Sequence, residues 1–222
     1  MKKREYNDGC ATAHALDIVG ERWALLIMRE LMLGPKRFSD LRASLPGISA
    51  NLLTQRLEGL ESVSVLRRRK LPPPAASWVY ELTEWGLESE KMIKEIGRWA
   101  ARSPNMVPGK QMSVNSVILS LRTMFNADLA EGLDFTLGMR LGEQEFITRI
   151  SQGMLEIDHG EASRGDVLLI CDQNALAATV YGGVPLDQLI DDGAIQIKGD
   201  KNLLERFCRL FPLPDTAPDL HS

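Results

Sequence analysis

Pro46-Gly47 sits between two short helical repeats, and that arrangement narrows the choice of fold more than any other feature of the chain. Phe38, Leu41 and Leu45 recur at helical spacing before it, and Leu53, Leu57 and Leu60 do so after it. Proline cannot continue a helix and glycine accepts the dihedrals of a sharp turn, so the segments must be separate helices. Ser49 stands where the second one needs an N-cap. From Val63 to Leu71 β-branched and basic residues mix, Pro72-Pro73-Pro74-Ala75-Ala76 breaks regular structure, and Ser77 to Leu82 alternates like a returning strand. The order predicted is helix, turn, helix, β-hairpin.

Apolar stripes flank this unit. Thr12, Ala15, Leu16 and Val19 predict a first helix. A second is predicted from Glu21 to Leu33, with Trp23, Leu26, Ile27 and Leu31 inside and Arg22, Arg29 and Glu30 off that face. Thr83 is suited to cap a last helix over Glu84–Arg102, where Trp85, Met92, Ile96 and Trp99 lie on one stripe. So apolar a stripe needs a partner surface. A two-fold homodimer supplies one; the helix's own domain or the second half of the chain is the alternative.

The overall net charge of −4 is unevenly spread. Residues 1–105 hold 17 basic against 13 acidic side chains, residues 106–222 hold 9 against 17, and the stretch 22–70 holds 10 against 4. Positive charge is thus concentrated on the helix-turn-helix and hairpin, the pattern expected of a surface that meets phosphates. Burying Leu53, Leu57 and Leu60 leaves Ala50, Asn51, Thr54, Gln55 and Glu58 outward, with Arg56 at the edge. Small and amide-bearing residues at the start of a helix suit close approach to base edges in a major groove of double-stranded DNA; an ordinary solvated face is the alternative. Arg67, Arg68, Arg69 and Lys70 fall on the outgoing strand of the hairpin, placed to reach phosphates, or alternatively to discourage strand pairing at an edge.

Taken in order, Cys10, Gly20-Glu21-Arg22-Trp23 with Leu26-Ile27, Arg37-Phe38-Ser39-Asp40-Leu41, Pro46-Gly47-Ile48-Ser49, Leu53-Thr54-Gln55-Arg56-Leu57, and Tyr80-Glu81-Leu82-Thr83 with Gly86 resemble the HxlR-type winged-helix regulators of bacteria over residues 10–103. The resemblance implies a dimeric transcription factor without catalysis. It marks Ser49, Asn51, Thr54, Gln55, Arg56 and Arg67 to Lys70 as the DNA-binding set and Trp85, Met92, Ile96 and Trp99 as the dimer interface. It also implies that Cys10 senses oxidants or electrophiles; a helix N-terminus and Lys2, Lys3 and Arg4 would favour its thiolate, the alternative being an inert packed cysteine. The chain departs from the family pattern twice. That pattern has a glycine where Val63-Ser64 stands, and its wing lacks the added Pro74-Ala75-Ala76-Ser77.

Ser103 to Gly109, with two prolines and a glycine, suits a linker. The expected organisation is a mainly α winged-helix DNA-binding and dimerisation domain over 1–104, a linker over 105–110 and a smaller α+β domain over 111–222. In the latter, Val114 to Phe125 traces an amphipathic helix. Strands are expected at Phe135–Leu141, Glu145–Ile150, Gly153–Asp158 and Asp166–Cys171, most simply as an antiparallel meander. Helices at Gln173–Tyr181 and Pro185–Asp191, a strand at Ala194–Lys198 and a helix at Lys201–Phe211 follow. This order is similar to the sterol carrier protein family, which implies an apolar small-molecule site, with Phe135–Leu141, Asp166–Cys171 and the last helix able to enclose it; a purely structural, dimer-stabilising module is the alternative. The chain is therefore read as a regulator, with a lipid or acyl-group carrier bearing an N-terminal interaction module as the rival. Three scattered cysteines and His14, His159 and His221 offer no ligand-spaced cluster, and no nucleophile elbow, phosphate loop or dinucleotide fingerprint is present, so neither metal, cofactor nor catalysis is expected. His159, in Asp158-His159-Gly160, is expected in a turn. No apolar run reaches the roughly 20 residues of a membrane helix, and a cytoplasmic location without a membrane partner is expected.

Overall fold

Apolar side chains at the predicted spacings do close around one another in the first half of the chain. The structure, a computed structural model, describes residues 6–107 and 109–218. It divides into two units, 1–93 and 94–222. The first contains α1 (Ala11–Val19), α2 (Ala24–Leu31), α3 (Phe38–Ser44), α4 (Ala50–Ser62), β1 (Leu66–Lys70), β2 (Trp78–Leu82) and α5 (Glu84–Glu88); α6 (Glu90–Ala101) begins there and runs across the division. This is a winged helix-turn-helix. Ile27, Met28 and Leu31 of α2, Leu41 of α3, Leu53, Leu57 and Leu60 of α4, and Leu66 and Leu82 of the hairpin share one core.

In this half of the chain two departures from the sequence-predicted helix bounds have a local reason. Trp23 adopts φ +81°, the left-handed region, so α2 begins at Ala24 rather than Glu21. Its ring packs on the core and reaches the turn between α3 and α4, where a side-chain carbon on Gly47 (φ +91°) would lie 3.9 Å from it. The long last helix breaks at Ser89, whose hydroxyl donates to the Gly86 carbonyl (2.6 Å) and competes with the helical ladder. Gly86 itself is required by close approach, since a Cβ there would fall 2.1 Å from the Val65 carbonyl oxygen. Within Val63-Ser64, the pair where the family pattern has a glycine, Ser64 stands at φ +62°, a conformation glycine adopts without cost.

A buried carboxylate ties the unit together. Glu30 on α2 has no solvent exposure, and its Oε1 accepts from Arg29 Nε and Nη2 (3.1 and 2.9 Å). Its Oε2 accepts from Lys36 Nζ (2.9 Å). Lys36 in turn exchanges both backbone hydrogen bonds with Tyr80 of β2 (3.0 and 2.8 Å), so one carboxylate links α2, the approach to α3 and the hairpin.

The second unit holds α7 (Val114–Met124), β3 (Phe135–Leu141), β4 (Gln144–Ser151), β5 (Met154–His159), β6 (Val167–Cys171), α8 (Gln173–Val180), α9 (Leu186–Asp191), β7 (Ile195–Lys198) and α10 (Lys201–Cys208). Its sheet runs β5-β4-β3-β6-β7, and β3 pairs with β6 in parallel, so the sheet is mixed and the antiparallel meander is not what forms. The crossover explains this. After β5 the chain passes through the 3-10 turn Ala162–Arg164 over Gly138 of β3, where a Cβ would fall 1.7 Å from the Ala162 carbonyl oxygen, and enters β6 alongside β3. The sheet face expected to line a ligand site is instead filled: Leu137, Met139, Val167 and Leu169 have no exposure. Among the described residues, no helix is long and apolar enough to cross a membrane.

Replacing Glu30 by Gln should lower the stability of the first unit by about 3 kcal/mol, because Lys36 and Arg29 lose the charge that compensates them. Urea unfolding of the two proteins measures this, and a difference below about 1 kcal/mol would mean the cluster relaxes into solvent.

Candidate nucleic-acid interface

Helix α4 is oriented by its leucines. With Leu53, Leu57 and Leu60 inside, Asn51, Thr54, Gln55 and Glu58 are exposed. Ser49 caps the helix, its hydroxyl oxygen accepting from the Leu52 amide (3.2 Å), and the Thr54 hydroxyl donates to the Ala50 carbonyl (3.1 Å). Arg56 stands apart from this group. It is half-buried, its Nε donates to the Arg22 carbonyl (3.0 Å) and its Nη2 pairs with Glu21 (2.6 Å), so it braces α4 against the turn between α1 and α2.

The hairpin sorts its four basic residues onto two faces. β1 and β2 pair antiparallel with Arg67 opposite Glu81, Arg68 opposite Tyr80 and Lys70 opposite Trp78. On one face Glu81 accepts from Arg67 Nε (2.8 Å) and Arg69 Nε (2.7 Å). Burial by itself would raise the Glu81 carboxyl, but the hydrogen bonds and charges of Arg69 and Arg67 outweigh it and hold it below the usual carboxylate value. On the other face the Arg68 guanidinium lies 4.5 Å from the centre of the exposed Trp78 ring and 6.0 Å from that of Tyr80. The Arg68 backbone amide donates to Glu61 Oε1 of α4 (3.1 Å), fixing the root of the hairpin to the end of that helix. The structure therefore brings Asn51, Thr54 and Gln55 together on the outer side of α4, and divides Arg67 and Arg69 from Arg68 and Lys70. Sequence reasoning missed Glu81. Its signal was an acid on the returning strand in phase with alternate arginines on the outgoing one.

On the remaining stripe Trp85, Ile96 and Trp99 are 50%, 43% and 77% exposed, whereas Met92 packs on the core of the first unit. Cys10 is exposed at the N-cap of α1, and the backbone amides of Thr12 and Ala13 lower its thiol below the ordinary value. Lys2, Lys3 and Arg4 lie outside the described residues, as does His221. Cys171 and Cys208 are the opposite case, pushed up to about 12 and about 11 chiefly by burial. His159 is not in a turn: it ends β5 and stacks on Phe146 with ring centres 4.5 Å apart. Among the described residues no group of three His, Cys, Asp or Glu side chains is gathered to hold a metal. In the second unit a cavity of about 510 Å³ opens between α8, α9 and the end of α10, lined by Val180, Val184, Leu186 and Phe211 with Asp187 and Arg209.

Comparison with known proteins bears on both halves. Residues 18–106 match the family described as HxlR-like helix-turn-helix, and residues 100–217 match the one described as alkyl sulfatase C-terminal. Over 86 residues the chain is 37% identical to YvaP of Bacillus subtilis (strain 168), an uncharacterized HTH-type transcriptional regulator, covering 39% of this chain and 80% of that protein. The HTH-type transcriptional regulator YodB of the same organism is also 37% identical over 86 residues, covering 39% and 77%. The solved structure of YodB in its reduced form aligns at 33% identity over 44% of this chain and 97% of that chain, with a TM-score of 0.40.

Because its thiol is exposed and depressed, Cys10 should be alkylated by iodoacetamide well before Cys171 and Cys208 in the folded protein, with the half-point of its rate profile at lower pH than for an ordinary thiol. Mass mapping of the labelled peptides checks this; equal rates at the three sites would remove the helix N-terminus as an activating influence.

Proposed function

This chain belongs to the HxlR-like helix-turn-helix family over its first half and to the alkyl sulfatase C-terminal family over its second, and we propose that it is a bacterial transcriptional regulator that binds a pseudo-palindromic operator as a homodimer. The observation that supports this most is the outer side of α4: a capped N-terminus presenting Asn51, Thr54 and Gln55, beside a hairpin carrying Arg67, Arg68, Arg69 and Lys70. In this reading Asn51, Thr54 and Gln55 meet base edges in the major groove, Ser49 and the start of α4 meet a phosphate, and the hairpin holds the backbone. Arg56 serves the DNA-binding set by bracing α4 at Glu21. The dimer forms through the exposed Trp85, Ile96 and Trp99, with Met92 at the root of the same stripe; wide aromatic exposure on α5 and α6 favours a second copy as the cover. Residues 105–110 link this part to a second half without catalysis, and the protein works on DNA in the cytoplasm.

For the second half we keep the sterol-carrier likeness and assign it an apolar effector. The cavity offers Val180, Val184, Leu186 and Phe211 as an apolar wall for an alkyl chain, with Asp187, Glu205 and Arg209 at its polar side, and a family described by alkyl sulfatases supports the alkyl part. Oxidation of Cys10 is the other input.

Salt separates the regulator from the rival lipid carrier. Affinity for duplex DNA should fall steeply with salt through counterion release, while binding of an apolar ligand should barely respond. Gln55→Ala should weaken binding to a duplex enriched from a random pool by about 1–3 kcal/mol and leave shuffled duplex nearly unchanged; Arg68→Ala should flatten the salt slope by about one unit on both. Fluorescence anisotropy reads each, and a Gln55→Ala loss equal on the two duplexes would make that residue a phosphate contact. Medium-chain alkyl sulfates or fatty acids should raise the melting temperature and shift DNA affinity by about 1–3 kcal/mol; a panel without effect on either would remove the effector from the account.

A further inference from the structure

Glu81 meets two arginines in the same way, through Nε of each. A guanidinium engaged at Nε keeps its terminal amino groups for another acceptor. The side chain of Glu81 is 13% exposed while those of Arg67 and Arg69 are 66% and 40% exposed, so the acid forms an inner layer and the arginines an outer one. Two residues along a strand are separated by about 6.6 Å, a spacing comparable with that of neighbouring phosphates on one DNA strand. One carboxylate thus holds a pair of forks on one face of the hairpin.

We propose that Glu81 is a specificity-determining residue of the DNA surface, lowering the hairpin's indiscriminate attraction for phosphate while fixing Arg67 and Arg69 where a duplex seated on α4 meets them. The inference rests on the reading of α4 and the hairpin as the DNA surface and goes beyond it. Sequence-independent binding scales with the charges that replace counterions, and Glu81 offsets one of the two positive charges on this face for every sequence alike. The gain from fixed arginines is selective. A free arginine sweeps many positions and finds a phosphate on any duplex; a held one meets a phosphate only in the register that α4 sets. An element that penalises wrong partners more than the right one produces discrimination without contacting a base.

The test compares wild type with Glu81→Gln and Glu81→Asp on a duplex enriched from a random pool by the wild-type chain and on a shuffled duplex of equal composition. Glutamine keeps the shape and removes the charge. It should raise affinity for shuffled duplex severalfold and steepen its salt slope by about one unit, with a smaller gain on the enriched duplex, so that the ratio between them falls. Aspartate keeps the charge but is too short to span both guanidiniums; it should leave shuffled binding weak and lose affinity for the enriched duplex. In an Arg67→Gln, Arg69→Gln background, Glu81→Gln should no longer change the ratio. Equal change on both duplexes, no change, or an effect that persists in that background overturns the proposal. If wild type enriches no duplex at all, the regulatory reading itself fails, which is a different result from any of these.

Discussion

A carboxylate removed from solvent fixes the geometry of the first half. Glu30 accepts from Arg29 and Lys36, and the Lys36 backbone pairs with Tyr80. An uncompensated charge in that position is so unfavourable that α2, the approach to α3 and the hairpin are held in one relative arrangement. The ion cluster specifies position more than it supplies energy. Fixing Tyr80 fixes the phase of β2, and the phase of β2 decides that Glu81 faces Arg67 and Arg69 while Trp78 and Tyr80 face Arg68.

That phase changes what the basic cluster is. Four consecutive positive residues read as one patch, yet the hairpin makes two surfaces of different chemistry from them. One carries two arginines layered over an acid. The other carries an arginine stacked on an indole, with Lys70 opposite Trp78 in the register. The Glu61 contact to the Arg68 amide couples the root of the hairpin to the end of α4. That contact sets where the hairpin stands relative to α4, which the proposed simultaneous contacts to groove and backbone would require.

Local signals carried much of this into the sequence. Pro46-Gly47 with the Leu53, Leu57 and Leu60 ridge marked the turn and the outer side of α4, and the Ser49 cap was readable because capping is a property of two or three neighbouring residues. Alternation located the strands of the second half. It did not show that β6 runs parallel to β3, because alternation records which side is buried and says nothing of the neighbour. The left-handed Trp23 and the break at Ser89 were hidden for a different reason: one is a single backbone dihedral and the other a side-chain hydrogen bond to the Gly86 carbonyl, and neither alters the apolar spacing from which helices are read. Glu30 sat off the apolar stripe of α2 and read as a surface acid, since its partner Lys36 lies beyond the helix, on the approach to α3. Arg56 joined the outward group on spacing alone, and only the fold brings Glu21 to it.

Two copies of α4 with their hairpins docked together on one face of DNA would leave a distinctive pattern in hydroxyl-radical footprinting of the whole chain on an enriched duplex. Two protected patches related by a two-fold axis are expected, centred about 10 base pairs or a multiple of that apart, with flanking protection that weakens when Arg67 and Arg69 are replaced by Gln. A single patch, or protection unchanged by those substitutions, would contradict it.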